Sequence, residues 1–243
     1  MKQLYGEGAF APLPVNNGFV FIAQQPAGKN TAELTEPAQS EADEAKEAEQ
    51  TDKMTVGYKI YRFDDQAVYP VTRSVYLLAK FGINFDNYQR DFKKYLLCKI
   101  ISLDPKHQLV IDPNGEARIV NSSDELSWIG NLCFNGEPPC CVHHDGGVLW
   151  ATYSKNGAVV KYDAASMHDE LRIGGGKLKS FENPEGIWAD KRSVLICSDG
   201  KILRIDLDSF ETTDYHTFDE PVRNYFRIGD EEIVQLDSGF YAL

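Results

Sequence analysis

Short stretches of alternating apolar and polar residues recur along this chain, separated by turns rich in Gly, Asn and Asp. That period of two predicts β-strands joined by tight turns. Four of the stretches close on aspartate: Tyr61-Arg62-Phe63-Asp64, Leu109-Val110-Ile111-Asp112, Val160-Lys161-Tyr162-Asp163 and Leu203-Arg204-Ile205-Asp206, at intervals of 48, 51 and 43 residues. An Asp at a strand exit accepts nearby backbone N–H groups and closes a turn. A further short strand follows, as in Glu116 to Val120 and Glu170 to Ile173. Two of the units share an opening as well. Pro139 and Asp145 are six residues apart, as are Pro184 and Asp190. Then come a strand (Val148 to Thr152, Val194 to Cys197), a glycine turn (Gly157, Gly200) and the strand ending in Asp. Each unit therefore holds four short strands.

Units of roughly 40–50 residues built from four strands are β-propeller blades, which need neighbours to cover both apolar faces. An all-β propeller of five four-stranded blades is predicted, as one domain over residues 1–243. The first blade contains Gly18 to Ala23 and Tyr58 to Asp64. The second runs from about Ser74 to Val120, with a long excursion at Gly82 to Lys94. The third covers Pro139 to Ile173 and the fourth Pro184 to Phe218. The fifth, Val222 to Leu243, shows three strands only: Asn224 to Ile228, Glu232 to Leu236 and Phe240 to Leu243. Lys2 to Gly6 has no partner of its own and is predicted to supply the missing outer strand, closing the ring.

Composition changes this picture in one place. Hydrophobic residues make up 42% of the chain and aromatics 12%, enough for a packed core. Residues 24–55 depart from that average. Gln24 to Lys53 holds no aromatic residue and one large aliphatic, Leu34, with eight acids against three bases, a net −5. Such a stretch cannot offset its ordering entropy by burial, so it reads as a disordered acidic insertion in the first blade. Ser40 to Gln50 favours a transient helix. The arm is either a solvated surface segment or a dock for a basic partner.

The whole chain carries a net −12, which opposes binding to nucleic-acid backbones and to anionic membranes. No run of about 18 apolar residues occurs, and the N-terminus has no apolar targeting segment. Five cysteines, an odd count without CxxC spacing, predict free thiols and a cytoplasmic location. Cys98 and Cys197 sit in apolar runs as core residues.

The run Asn183-Pro184-Glu185-Gly186-Ile187-Trp188-Ala189-Asp190, with Gly200 to Asp206 behind it, resembles a blade of the NHL-like and gluconolactonase-like propellers. The resemblance is partial in the third blade, where Cys141 stands for the glycine. It implies a propeller fold. For the gluconolactonase-like enzymes it also implies a divalent metal held at the channel by Glu, Asn and Asp, after an early Glu-Gly motif. The nearest such pair here is Glu7-Gly8, with no matching Trp downstream.

Innermost strands line a propeller channel, and these are expected at Cys140 to His144, Glu185 to Ala189 and Arg223 to Phe226. Candidate ligand-binding residues are therefore His143, His144, Glu185, Arg223, Asn224 and Tyr225, with Cys141 beside them. Cys141 and His143 point to one face of their strand and Cys140 and His144 to the other, so one strand cannot wrap a metal alone. Glu185 is placed to pair with Arg223. Trp150 and Trp188 are expected to pack between blades, and Asp199 and Asp214 to sit in turns. There is no G-x-S-x-G elbow and no phosphate loop, and Gly174-Gly175-Gly176 falls in a blade connection.

The first functional expectation is a non-catalytic binding module without a cofactor, present as a single copy, for a basic protein partner. The alternative is a metal-dependent lactonase-like hydrolase using Glu185 and His143 with a divalent metal at the channel mouth. A third reading is a small-ligand sensor signalling through the acidic arm.

Overall fold

A computed structural model describes residues 1–25, 57–89, 95, 97–176 and 180–243. Its strands are β1 (Lys2–Tyr5), β2 (Ala9–Val15), β3 (Gly18–Gln25), β4 (Gly57–Asp64) and β5 (Ala67–Pro70). Two helices follow, α1 (Arg73–Phe81) and α2 (Phe85–Gln89). Then come β6 (Lys99–Ser102), β7 (His107–Ile111), β8 (Glu116–Asn121) and β9 (Leu126–Asn131). The third blade is β10 (Cys141–Asp145), β11 (Val148–Tyr153), β12 (Ala158–Asp163) and β13 (Asp169–Gly174). The fourth is β14 (Pro184–Ala189), β15 (Ser193–Ser198), β16 (Lys201–Asp206) and β17 (Thr212–Thr217). The fifth comprises β18 (Val222–Ile228), β19 (Glu231–Leu236) and β20 (Gly239–Ala242), with β1 outermost.

These form five four-stranded antiparallel sheets, four of them in sequence order and the fifth in the order β18-β19-β20-β1. The second strands are buried on both faces: Leu149 to Tyr153 and all of β15 are inaccessible, because a neighbouring blade covers each side. Apolar clusters fill the seams. Leu109, Ile111 and Ile119 meet Leu149, Tyr153 and Val160 between the second and third blades. Trp150 and Val159 meet Ile187, Val194 and Ile196 between the third and fourth. Leu195, Cys197 and Ile202 meet Tyr225 and Val234 between the fourth and fifth.

The ring closes where the fifth blade meets the first. β1 pairs with β20, Lys2 opposite Ala242 and Gln3 opposite Tyr241. Behind the pairing lies an aromatic cluster. Phe19 contacts Phe226 and Phe240 at ring-centroid distances of 5.1 and 5.0 Å, and Tyr5 contacts Phe21 at 4.9 Å. Gly239 makes the approach available. Its φ is +134°, and a Cβ there would collide with the Tyr5 carbonyl.

The second blade departs from the sequence expectation. It begins at Lys99, not near Ser74, and its outer strand is β9. Residues from Arg73 are helical. α1 stands between blades: the Tyr76 hydroxyl donates to the Ala11 carbonyl at 3.2 Å, and Gln108 Nε2 donates to the Phe81 carbonyl at 2.8 Å. Leu77, Phe81, Tyr88 and Tyr95 pack on Val110 and Val120. The described part of the excursion, Gly82 to Gln89, is thus part of an apolar filler for this seam, and residues 90–94 lie outside the described residues. No helix among the described residues is long and apolar enough to cross a membrane. Gln24 and Gln25 belong to β3, paired with Tyr58 and Gly57. The rest of the acidic insertion, residues 26–56, lies outside the described residues.

The aspartate repeat is out of phase once. Asp163 and Asp206 close the third strands of their blades. The Ser166 hydroxyl and N–H reach Asp163 Oδ1 at 2.6 and 2.8 Å, and Ser209 N–H reaches Asp206 Oδ1 at 2.9 Å. Asp112 instead follows a second strand, and Asn121 closes the third one, accepting from Ser123 and Glu125 N–H at 2.9 Å. An amide oxygen accepts as a carboxylate oxygen does, so the turn survives the exchange. Asp64 turns away and holds Arg62 at 2.6 Å. Asp214 lies within β17 and pairs with Lys201 at 2.7 Å, rather than in a turn.

Two predictions follow from these contacts. Gly239→Ala forces a strained φ and a collision with β1, and is expected to cost about 2–4 kcal/mol in denaturant unfolding, more than Gly146→Ala in an open turn. Asp190 accepts from Arg192 and Ser193 N–H, both at 2.8 Å. Burial raises its pKa, but these bonds and the Ser193 hydroxyl outweigh that and hold it below the usual range. A depressed folded pKa gives stability that is present above the unfolded pKa of about 3.9 and lost as pH falls through the folded one. Asp190→Ala should lower stability by ~1–2 kcal/mol at neutral pH, with the gap to wild type closing in acid, while Asp190→Asn keeps the turn.

Candidate functional site

β14 and β18 approach so closely that a Cβ at Gly186 would lie 2.8 Å from Asn224 Cα and 2.8 Å from Cys197 Sγ. This contact sets Glu185 against Arg223 at the mouth between the fourth and fifth blades. Arg223 Nη1 donates to Glu185 Oε1 at 2.6 Å. Its Nε and Nη2 donate to Asp237 Oδ1 and Oδ2 at 2.6 and 3.2 Å. The hydrogen bonds to Asp237 and the Glu185 charge hold the guanidinium more firmly protonated than usual. All three side chains are solvent-accessible, so each pair adds only ~0–1 kcal/mol; their effect is to fix the geometry of the mouth. A cavity of about 220 Å³ opens here, lined by Asn183, Glu185, Asp199, Pro221, Val222 and Arg223.

The other sequence candidates do not join this mouth. Asn224 turns its side-chain oxygen to the Tyr225 N–H at 2.9 Å. Tyr225 is buried between blades, where burial pushes its phenol pKa up, and its hydroxyl accepts from Arg227 Nε at 2.8 Å. His143 lies against the fourth blade, its Nε2 3.0 Å from the Ala189 carbonyl and its ring 5.9 Å from Trp188. Burial lowers its pKa, which favours the neutral imidazole. His144 is on the other face of β10, in register with Leu149. Cys141 is half-buried on β10, and burial raises its thiol pKa.

A divalent metal would need Glu185 and His143 convergent, but Arg223 holds the one and the Ala189 carbonyl the other. Among the described residues no three His, Cys, Asp or Glu side chains are grouped to hold an ion.

Sequence reasoning missed two parts. Asp237 and Asn183 reach the mouth from turns whose side-chain direction no local pattern specifies. A second cluster forms around Glu232, which accepts from Arg227 Nη2 and the Tyr215 hydroxyl, both at 2.7 Å. The Arg227 guanidinium lies 4.4 Å over the Trp188 ring. Trp150 is buried between blades, whereas Trp188 is only partly covered there. The alternation of Tyr225 and Arg227 along β18 was the available signal. On the opposite face of the ring, Asp145, Val148, Trp150, Lys161, Asp190, Lys191 and Leu207 line a second cavity, of about 230 Å³.

No protein-family model matches this chain. No curated protein matches it either. Among solved structures it is similar to the WD40 β-propeller domain of Doa1, with a TM-score of 0.44 and 11% identity over 60% of this chain and 48% of that one. It is also similar to BamB from Moraxella catarrhalis, with a TM-score of 0.39 and 11% identity over 59% of this chain and 57% of that one. The chain spans about half the length of these propellers. The five-bladed architecture rests on the strand pairing described above.

The burial pattern predicts thiol chemistry. In the native protein, exposed Cys140 and half-buried Cys133 should react with a maleimide, while buried Cys98 and Cys197 stay protected; half-buried Cys141, its thiol pKa raised by burial, should react more slowly than Cys140. Gly186→Ala, which crowds Cys197 Sγ, should expose that thiol to labelling; mass mapping of the labelled peptides reads both results.

Proposed function

We propose that this chain is a non-catalytic propeller module that binds a basic protein partner on the face carrying the Glu185–Arg223–Asp237 mouth. The observation that carries the reading is topological. β3 runs to that face at Gln25 and β4 leaves it at Gly57. Gln25 and Gly57, the residues that flank the sequence of eight acids and three bases at 26–56, are thus both on that face. The turns holding Asp199, Asp237 and the pair Asp219-Glu220 open on the same face. Loops at one end of a rigid ring are the usual recognition surface, and an acidic one attracts cations over long range.

The fold is compatible with a scaffold of this kind. The Pro184 to Asp190 run supports a place near the NHL-like propellers: Gly186 serves the close approach of two blades and Asp190 caps its turn. Five free thiols support a reducing, cytoplasmic setting.

Polylysine is a sufficient probe. Its affinity should fall as salt rises. The double charge reversal Asp199→Lys with Asp219→Lys should weaken it by about tenfold, and the control Asp208→Lys with Glu211→Lys on the other face should not. Equal losses from both pairs would leave only overall charge and remove the assigned face. Salt-independent binding would remove charge from the account.

A further inference from the structure

The second cavity, about 230 Å³ between the third and fourth blades, joins an apolar floor to two uncommitted charges of opposite sign. The floor comes from the face that β11 turns toward the fourth blade. Trp150 lines the cavity although it is only 2% exposed, so its indole is a fixed surface. Val148 lies two residues earlier on the same strand face, and Leu207 enters from the fourth blade. Both are half-buried against the cluster that holds Trp150, and they extend the apolar surface.

Four charged side chains stand around this floor, and two are already committed. Lys161 lies opposite Trp150 in the register of β11 and β12, and Glu170 Oε2 holds its ammonium at 2.8 Å. Asp190 Oδ1 accepts from the N–H groups of Arg192 and Ser193. Lys191 and Asp145 remain. Both are exposed and both line the cavity. Among the described residues, no ion pair or side-chain hydrogen bond engages either one or joins the two. His143, on the same strand face as Asp145, bonds the Ala189 carbonyl instead. Asp145 ends β10 of the third blade, and Lys191 projects from the turn between β14 and β15 of the fourth, so each wall supplies one charge.

We propose that this cavity binds a free amino acid with an apolar side chain, its ammonium at Asp145, its carboxylate at Lys191 and its side chain on Val148, Trp150 and Leu207. Charge selects this class. A simple carboxylate would satisfy Lys191 and bring a like charge toward Asp145, and a simple amine would do the reverse. A zwitterion satisfies both ends at once. The apolar floor then favours an aliphatic side chain over a polar one, since it gains by leaving water. The volume is below the roughly 300–1,000 Å³ of sites for larger ligands and suits a molecule the size of one amino acid. The cavity lies on the face opposite the Glu185–Arg223–Asp237 mouth, so this binding goes beyond the function proposed for the mouth and does not depend on it.

L-Leucine is the probe, titrated into the full chain while the NMR signal of the Trp150 indole N–H is followed. A ligand this small is expected to saturate with a Kd of about 0.1–10 mM. N-acetyl-leucine lacks the ammonium, leucinamide lacks the carboxylate and glycine lacks the side chain. Each should bind at least about tenfold more weakly than leucine. Lys191→Met and Asp145→Asn should each weaken leucine binding by about tenfold. Because both residues are exposed, the variants should keep the melting temperature of the wild type. The absence of saturable leucine binding up to about 50 mM overturns the proposal. So does N-acetyl-leucine or leucinamide binding as tightly as leucine, since the cavity would then read one charge only. Leucine binding indifferent to both variants, or without a shift at Trp150, places the ligand elsewhere and also overturns it.

Discussion

The molecule depends on the seam between its two chain ends. Each blade is a small sheet with two apolar faces, and each needs a neighbour on both sides. Three seams join blades that are consecutive in sequence, and α1 with its companions fills a fourth. The last must be made by Lys2–Tyr5 lying on Gly239–Ala242, with Phe19, Phe21, Phe226 and Phe240 packed behind. Without it two apolar faces and a strand edge would open together. Aromatic rings suit the position, because each buries a large area with few rotatable bonds.

The site follows from the same closure. Gly186 lets β14 and β18 come within van der Waals contact, and that contact holds Glu185, Arg223 and Asp237 in one network. The mouth is thus a product of packing between blades. Its ion pairs add little stability; their geometry, and the acids of the neighbouring turns, give the face its character. The residues around Glu232 show the same logic in a less exposed place, where Arg227 is stacked on Trp188 and bonded to both Glu232 and Tyr225.

Much of the fold was legible because blades repeat local rules. Period-two alternation placed the strands of the third, fourth and fifth blades almost to the residue, and the orphan strand at the N-terminus completed the last sheet. The second blade was misread for two physical reasons. Asp112 mimics the strand-closing aspartate at a different turn, and Asn121 performs that role with an amide. The apolar run from Tyr76 to Phe81 also fits helix and strand templates alike. Of the site, the Glu185–Arg223 contact was legible because both lie at equivalent starts of adjacent inner strands. His143 was not, because alternation says which face a side chain takes but not whether that face meets the channel or the next blade.

The amino-acid sequence by itself determined the repeat, the strand spacing, the turn carboxylates and the need for an N-terminal latch, since each arises from bonds and periodicities within about fifty residues. Tertiary structure alone decided that helices fill the seam between the first two blades, that Asp237 completes the Arg223 clamp, and that Asp145 and Lys191 flank one cavity. Those outcomes depend on how separate blades tilt and meet. No local pattern encodes such distances, because they are fixed only when the ring closes.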